Sequence, residues 1–260
     1  MKKKYRMYLI LGVFIVTFVM LFMTFSKEIT LSEDRKSKEI TLSEDRKSDK
    51  KEIIKDNEKD EKKEIIFKTS EKSYFDDALF IGDSRTVGLC EYGDLDNADY
   101  FSSTGMSIYK LWKEVVSVKN VGRVSLQQLL EVKSYKKIYI MLGINELGYK
   151  TETTIEKYRE TISALIDSQP DAIIYVCANL HVTKERSLKD ELINNRNIDD
   201  FNTRLNTLTD NESIYYIDIK EKFDDGSGNL NSDYSNDNVH VLAKYYKDWS
   251  NWLCDNTIKP

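Results

Sequence analysis

Cysteine is scarce in this chain, with Cys90, Cys177 and Cys254 alone among 260 residues. The number is odd and no pair has C-x-x-C spacing, which excludes a thiolate metal knuckle and argues against a disulfide framework. Each lies in apolar surroundings (Leu89-Cys90, Val176-Cys177-Ala178, Leu253-Cys254), which predicts three buried small hydrophobes. Histidine is scarcer still, with only His181 and His240. The folded region also lacks an excess of positive charge. Lys2, Lys3, Lys4 and Arg6 make the N-terminus basic and residues 26–72 are balanced, so the net charge of −5 leaves about −9 on residues 73–260. Phosphate backbones reward clustered Lys and Arg, so no nucleic-acid partner is expected. A Gly-x-Ser-x-Gly elbow is absent, which excludes the α/β-hydrolase superfamily. No long apolar insertion suggests a lid, so long-chain lipid substrates are disfavoured.

What the chain does have begins with an apolar run. Met7 to Phe25 carries no charge over nineteen residues, enough for a helix of roughly 28 Å, close to a bilayer's hydrocarbon thickness. The basic residues before it predict an N-terminus inside and the remainder of the chain outside. Phe22-Met23-Thr24-Phe25-Ser26 offers no small-residue cleavage site, so an uncleaved signal-anchor is expected over a cleaved signal peptide. Next comes a tandem repeat, Ser26 to Lys36 copied at Ser37 to Lys47. Its dense mixture of opposite charges reads as a solvated spacer, not a coiled coil. The expected organisation is a cytoplasmic tail at 1–6, a transmembrane segment at 7–25, a spacer at 26–72 and a folded domain at 73–260.

From Ser73 strands and helices alternate. The apolar run Ala78-Leu79-Phe80-Ile81 predicts a buried strand, with a helix beginning near Thr86. Weaker signals follow for a strand at Asp99-Tyr100-Phe101 and a helix from Ile108 to Val116. Ser125 can cap a helix running through Leu130, and Lys137 to Leu142 reads as a third strand. A helix over Thr151 to Ser168, a strand over Ala172 to Val176, a long helix over Leu188 to Leu208, a strand over Ile214 to Ile217 and a final helix over Val241 to Leu253 complete the pattern. Such alternation implies a parallel sheet with helices on both faces and functional groups at the carboxyl ends of its strands.

Four blocks fall at such ends. Ser84 ends Phe80-Ile81-Gly82-Asp83-Ser84, where a strand meets a helix N-terminus. Its hydroxyl needs a base to become a nucleophile. His240 in Asp237-Asn238-Val239-His240 can be that base, with Asp237 holding the ring in the required tautomer. Gly105 can offer a backbone N–H and Asn145, in Gly143-Ile144-Asn145-Glu146, a side-chain amide to an oxyanion, joined by the Ser84 N–H. Taken singly, each block has an ordinary structural explanation, as a helix cap or a turn residue. His181 has no carboxylate at comparable sequence spacing and reads as a cleft-wall or structural residue. Arg85, beside the nucleophile, is a candidate for meeting an anionic substrate group, with a surface salt bridge as the alternative. Tyr149, Tyr109 and Trp112 are candidate stacking faces for sugar rings, or packing residues.

These blocks together resemble the SGNH, or GDSL, hydrolase family, over about residues 75–256. The resemblance implies a flavodoxin-like three-layer sandwich with a five-stranded parallel sheet, and a metal-free esterase working through an acyl-serine. It implies catalytic Ser84, Asp237 and His240, oxyanion donors at Ser84, Gly105 and Asn145, and no cofactor. Three positions depart from the family pattern: Arg85 replaces a leucine, Glu146 a commoner aspartate and Asn238 a frequent glycine. Combined with the apolar anchor, the expected function is an extracytoplasmic esterase removing O-acyl groups, with O-acetyl expected, from a cell-envelope glycan or other carbohydrate. An acyltransferase using the same serine and a catalytically silent glycan-binding domain are the alternatives. Oligomeric state is not legible.

Overall fold

The computed structural model describes residues 65–258. The chain divides into two units, Met1–Asp60 and Glu61–Pro260. The first, with the expected anchor and both copies of the repeat, lies outside the described residues. Among the described residues no helix is long and apolar enough to cross a membrane.

The first strand, β1 (Ala78–Gly82), is buried along its whole length. It breaks where the Asp83 carboxylate accepts the Arg85 N–H at 2.9 Å and starts α1 (Ser84–Tyr92). The chain continues through β2 (Asp99–Ser102), β3 (Val115–Val118), β4 (Gly122–Ser125), α2 (Leu126–Val132), β5 (Lys137–Met141) and α3 (Thr151–Ser168). It closes with β6 (Ile173–Cys177), α4 (Lys184–Lys189), α5 (Asn195–Asn206), β7 (Ile214–Ile217), α6 (Lys220–Phe223) and α7 (Tyr246–Asp255). Five strands form one parallel sheet in the order β2-β1-β5-β6-β7. The chain winds outward from β1 to β2, then returns past β1 to β5. That reversal opens a crevice at the carboxyl ends of β1 and β5, where ligands bind in sheets of this kind.

Alternation along the strands feeds two apolar layers. Leu79, Ile81, Ile138, Ile140, Ile174 and Val176 pack with Leu129, Tyr158, Leu165, Phe201 and Leu205 of α2, α3 and α5. On the other face Phe80, Tyr139, Tyr175 and Tyr215 pack with Leu89, Tyr246, Trp249 and Leu253 of α1 and α7. The strand register aligns Tyr100, Phe80, Tyr139 and Tyr175 in a row, with ring centroids 5.2, 4.6 and 4.2 Å apart. Each stacked pair contributes about 0.5–1.5 kcal/mol beyond its burial.

Four sequence expectations need correction. Residues 108–116 are not a helix; turns lead into β3, which pairs antiparallel with β4. The β-branched run Val115-Val116-Ser117-Val118 favours a strand, and Asn120 and Gly122, both at positive φ, turn the hairpin. The helix expected over 188–208 is two. Asp190 Oδ1 accepts the N–H groups of Leu192 and Ile193, and Asn194 then caps α5 by accepting the Asn197 N–H at 3.0 Å. The folded unit also begins before residue 73. Lys68 and Thr257 exchange backbone hydrogen bonds of 2.9 and 3.1 Å, and Ile65 and Phe67 pack on the core. The cysteines are not uniformly buried: Cys90 is exposed, Cys177 and Cys254 partly so. One helical position rotates Cys90 about 100° away from Leu89, which is the residue that faces the sheet.

Candidate active site

Ser84 is the first residue of α1. Helix capping is done by Asp83, which leaves the Ser84 hydroxyl free to face the loop before α7. There Ser84 Oγ lies 2.7 Å from His240 Nε2, and His240 Nδ1 lies 2.6 Å from Asp237 Oδ2. A carboxylate can only accept, so Nδ1 carries the proton and Nε2 of the neutral ring accepts from the serine hydroxyl. The three-residue spacing works because Asp237 Oδ1 also accepts the N–H groups of Val239 and His240, at 2.9 and 2.8 Å. Burial opposes charge on Asp237, but those two N–H groups and the His240 ring outweigh it and hold its pKa at about 2. Asn238 takes φ +71° to close this turn. Glycine suits that conformation and asparagine tolerates it, which explains the departure at this position. Asn238 is tied down by Thr183, whose N–H donates to its carbonyl at 3.0 Å and whose hydroxyl donates to its side chain at 2.8 Å.

Gly105 follows β2 at φ +74°, with no neighbour within 4 Å of where a Cβ would stand. Its conformation, not crowding, calls for glycine. Asn145 follows β5 in a short 3₁₀ turn (Ile144–Glu146), and its Nδ2 donates to the Met106 carbonyl at 2.9 Å. One of its two amide protons is thereby used to seat the side chain beside the Gly105 loop. Ser84, Gly105 and Asn145 therefore follow the carboxyl ends of β1, β2 and β5, and the loop between α6 and α7 brings Asp237 and His240 to Ser84.

The remaining candidates, Arg85 and Tyr149, differ sharply in exposure. Arg85 is 1% exposed, so it forms no surface salt bridge and presents almost no surface to a substrate. The helix turns it inward, where its Nη1 donates to Asn179 Oδ1 at 3.4 Å. Burial works against its charge, and the buried Asp83 carboxylate partly offsets that. Tyr149 is 60% exposed and its ring lies 4.9 Å from that of Tyr109. This pair forms an aromatic rim next to Asn145. Trp112 donates to Thr161 Oγ1 at 3.3 Å. A groove of mixed polar and apolar lining runs between α1, β2 and β3, bordered by Val87, Cys90, Glu91, Tyr100, Ser102 and Lys119.

Sequence reasoning missed the partners of His181. Its Nδ1 lies 2.8 Å from Asp224 and its Nε2 2.9 Å from Asp199, carboxylates 43 and 18 residues away in the chain. Only a protonated ring can donate to both. Burial lowers its pKa, but the two carboxylates overcome this and raise it above 6.5. The stability from the charged clamp is therefore complete below the unfolded value of about 6.5 and is lost as pH rises through the raised folded value. His181→Gln should lower the thermal midpoint by about 5 °C at pH 6. The gap to wild type should close in alkali, as followed by thermal unfolding across pH. Among the described residues no group of three or more His, Cys, Asp or Glu is placed to hold a metal ion.

The comparisons agree with this architecture. Of the solved structures, a GDSL-like lipase from Bacteroides thetaiotaomicron superimposes with a TM-score of 0.52 at 14% identity, covering 70% of this chain and 87% of the other. An acetyl xylan esterase superimposes with a TM-score of 0.50 at 16% identity, covering 68% of this chain and 96% of the other. At these identities the likeness is one of fold. No curated protein matches the chain. Residues 80–247 match the model of the GDSL-like lipase/acylhydrolase family. The chain belongs to that family and is a carboxylic ester hydrolase.

Proposed function

We propose that this protein is a serine esterase that removes O-acetyl groups from a carbohydrate of the cell envelope, held at the membrane by residues 7–25 with its catalytic domain outside. The observation that carries the chemistry is the continuous chain of contacts from Ser84 Oγ through His240 to Asp237, at 2.7 and 2.6 Å. In the first step Ser84 Oγ bonds to the ester carbonyl carbon as its proton passes to His240 Nε2. Asp237 stabilises the resulting imidazolium. The N–H groups of Ser84 and Gly105 and the second amide proton of Asn145 receive the developing oxyanion. His240 returns the proton to the departing sugar oxygen, leaving an acyl-serine. Water, deprotonated by His240, then releases acetate.

The carbohydrate assignment rests on the surroundings of the serine. The Tyr109–Tyr149 pair offers an exposed ring face to a sugar. An acetyl xylan esterase among the structures of like fold supports the same reading. The test compares p-nitrophenyl acetate with acetylated xylo-oligosaccharides and acetylated wall glycan, using the domain from residue 61 onward. Acetate release from an acetylated glycan is expected. Hydrolysis of the small ester without any release from glycans would overturn the substrate reading. Tyr149→Ala should raise KM for the preferred glycan about threefold to tenfold, the loss of one stacking contact. It should leave p-nitrophenyl acetate kinetics unchanged.

A further inference from the structure

Glu146, next to Asn145, is 1% exposed. Its Oε1 accepts the Ile108 N–H at 2.5 Å, while Asn145 Nδ2 donates to the Met106 carbonyl at 2.9 Å. Met106 and Ile108 lie one and three residues beyond Gly105. Two adjacent side chains on the β5 turn thus grip the loop that carries the Gly105 N–H. The second oxygen of Glu146, Oε2, is buried and has no hydrogen-bond partner among the described residues. Few groups can stabilise its charge. The buried Asp83 carboxylate repels it from the end of β1, and the Tyr158 hydroxyl of α3 is committed to the Leu142 carbonyl at 2.7 Å. The Ile108, Gly143 and Asn145 N–H groups favour its charged form.

We infer that Glu146 is a positioning residue of the oxyanion pocket whose ionised carboxylate locks the Gly105 loop in place and whose protonation releases it. A carboxylate accepts a hydrogen bond about twice as strongly as a neutral group. A protonated Glu146 would also bury an O–H donor on Oε2 with nothing to receive it. The two states are close in free energy: burial, aided by Asp83, raises the pKa to about 7 against the pull of the Ile108 N–H. Esterase activity then depends on two deprotonations, His240 as base and Glu146 as clamp. This inference rests on the serine-esterase reading of the site.

The test is the pH dependence of kcat and KM for p-nitrophenyl acetate in wild type, Glu146→Gln and Glu146→Asp, with folding checked by thermal unfolding. In wild type the acid limb of log kcat against pH should steepen toward a slope of two. Glu146→Gln keeps an acceptor for Ile108 but cannot ionise. Its limb should fall to a slope of one, with kcat about tenfold lower at pH 8 and KM within threefold. Glu146→Asp should restore the two-proton limb. A one-proton limb in wild type overturns the inference by itself, whether or not the glutamine variant folds. An unchanged limb in a folded Glu146→Gln overturns it as well. Failure of the underlying site would look different: turnover would survive Ser84→Ala.

Discussion

Ser84→Ala should reduce p-nitrophenyl acetate hydrolysis by about 10⁴-fold or more, to near the level left by binding and oxyanion donors alone. The expectation follows from how completely the fold commits this hydroxyl. Asp83 takes over capping of α1, so Ser84 Oγ makes no contact that the helix needs. Its one hydrogen-bond partner among the described residues is His240 Nε2 at 2.7 Å. The variant should therefore keep its thermal midpoint while losing kcat, and the split between those readouts is the informative result. A loss of stability matching the loss of activity would mean the hydroxyl serves the fold. Retained turnover in a stable variant would mean another group attacks the ester.

Asp237→Asn should produce the second largest effect, lowering kcat about 10⁴-fold with modest change in KM. An amide at this position can still accept the Val239 and His240 N–H groups through its oxygen, at the 2.9 and 2.8 Å positions that shape the turn. The loop should therefore persist. The amide NH₂, facing Nδ1, donates instead of accepting and so favours the imidazole tautomer with its proton on Nε2. That tautomer presents a donor to Ser84 and cannot take its proton. The pKa of about 2 for Asp237 means that the carboxylate stays charged wherever His240 is neutral. Protonation of Asp237 therefore adds nothing to the acid limb above about pH 3, and steady-state kinetics across pH in the variant would reveal any exception.

Much of this arrangement was legible in the chain because its signals are local. Apolar runs such as Ala78-Leu79-Phe80-Ile81 and Lys137 to Leu142 are read directly as buried strands, and alternation with helices fixes a parallel sheet. The Asp-x-x-His spacing is likewise local, since one turn joins both residues. What escaped depends on distance or on weak periodicity. Val115 to Val118 alternates over only four residues, and the pairing that makes it a strand comes from β4. Asp190 and Asn194 break one long polar helix into two through side-chain contacts that a hydrophobic pattern does not encode. The charge of Arg85 suggests a surface or substrate-facing residue, but helix rotation buries it. The partners of His181 and the contact between Glu146 and Ile108 join positions 18 to 43 residues apart. No spacing rule in the sequence foretells them.

The account turns on a single encounter, the Ser84 hydroxyl beside the His240 ring, and fluorophosphonate labelling with peptide mapping tests it most directly. The label should appear on Ser84 alone, and His240→Ala should slow its attachment by at least about 10³-fold. Attachment to a different residue, or labelling of Ser84 at an undiminished rate without the histidine, would contradict the account.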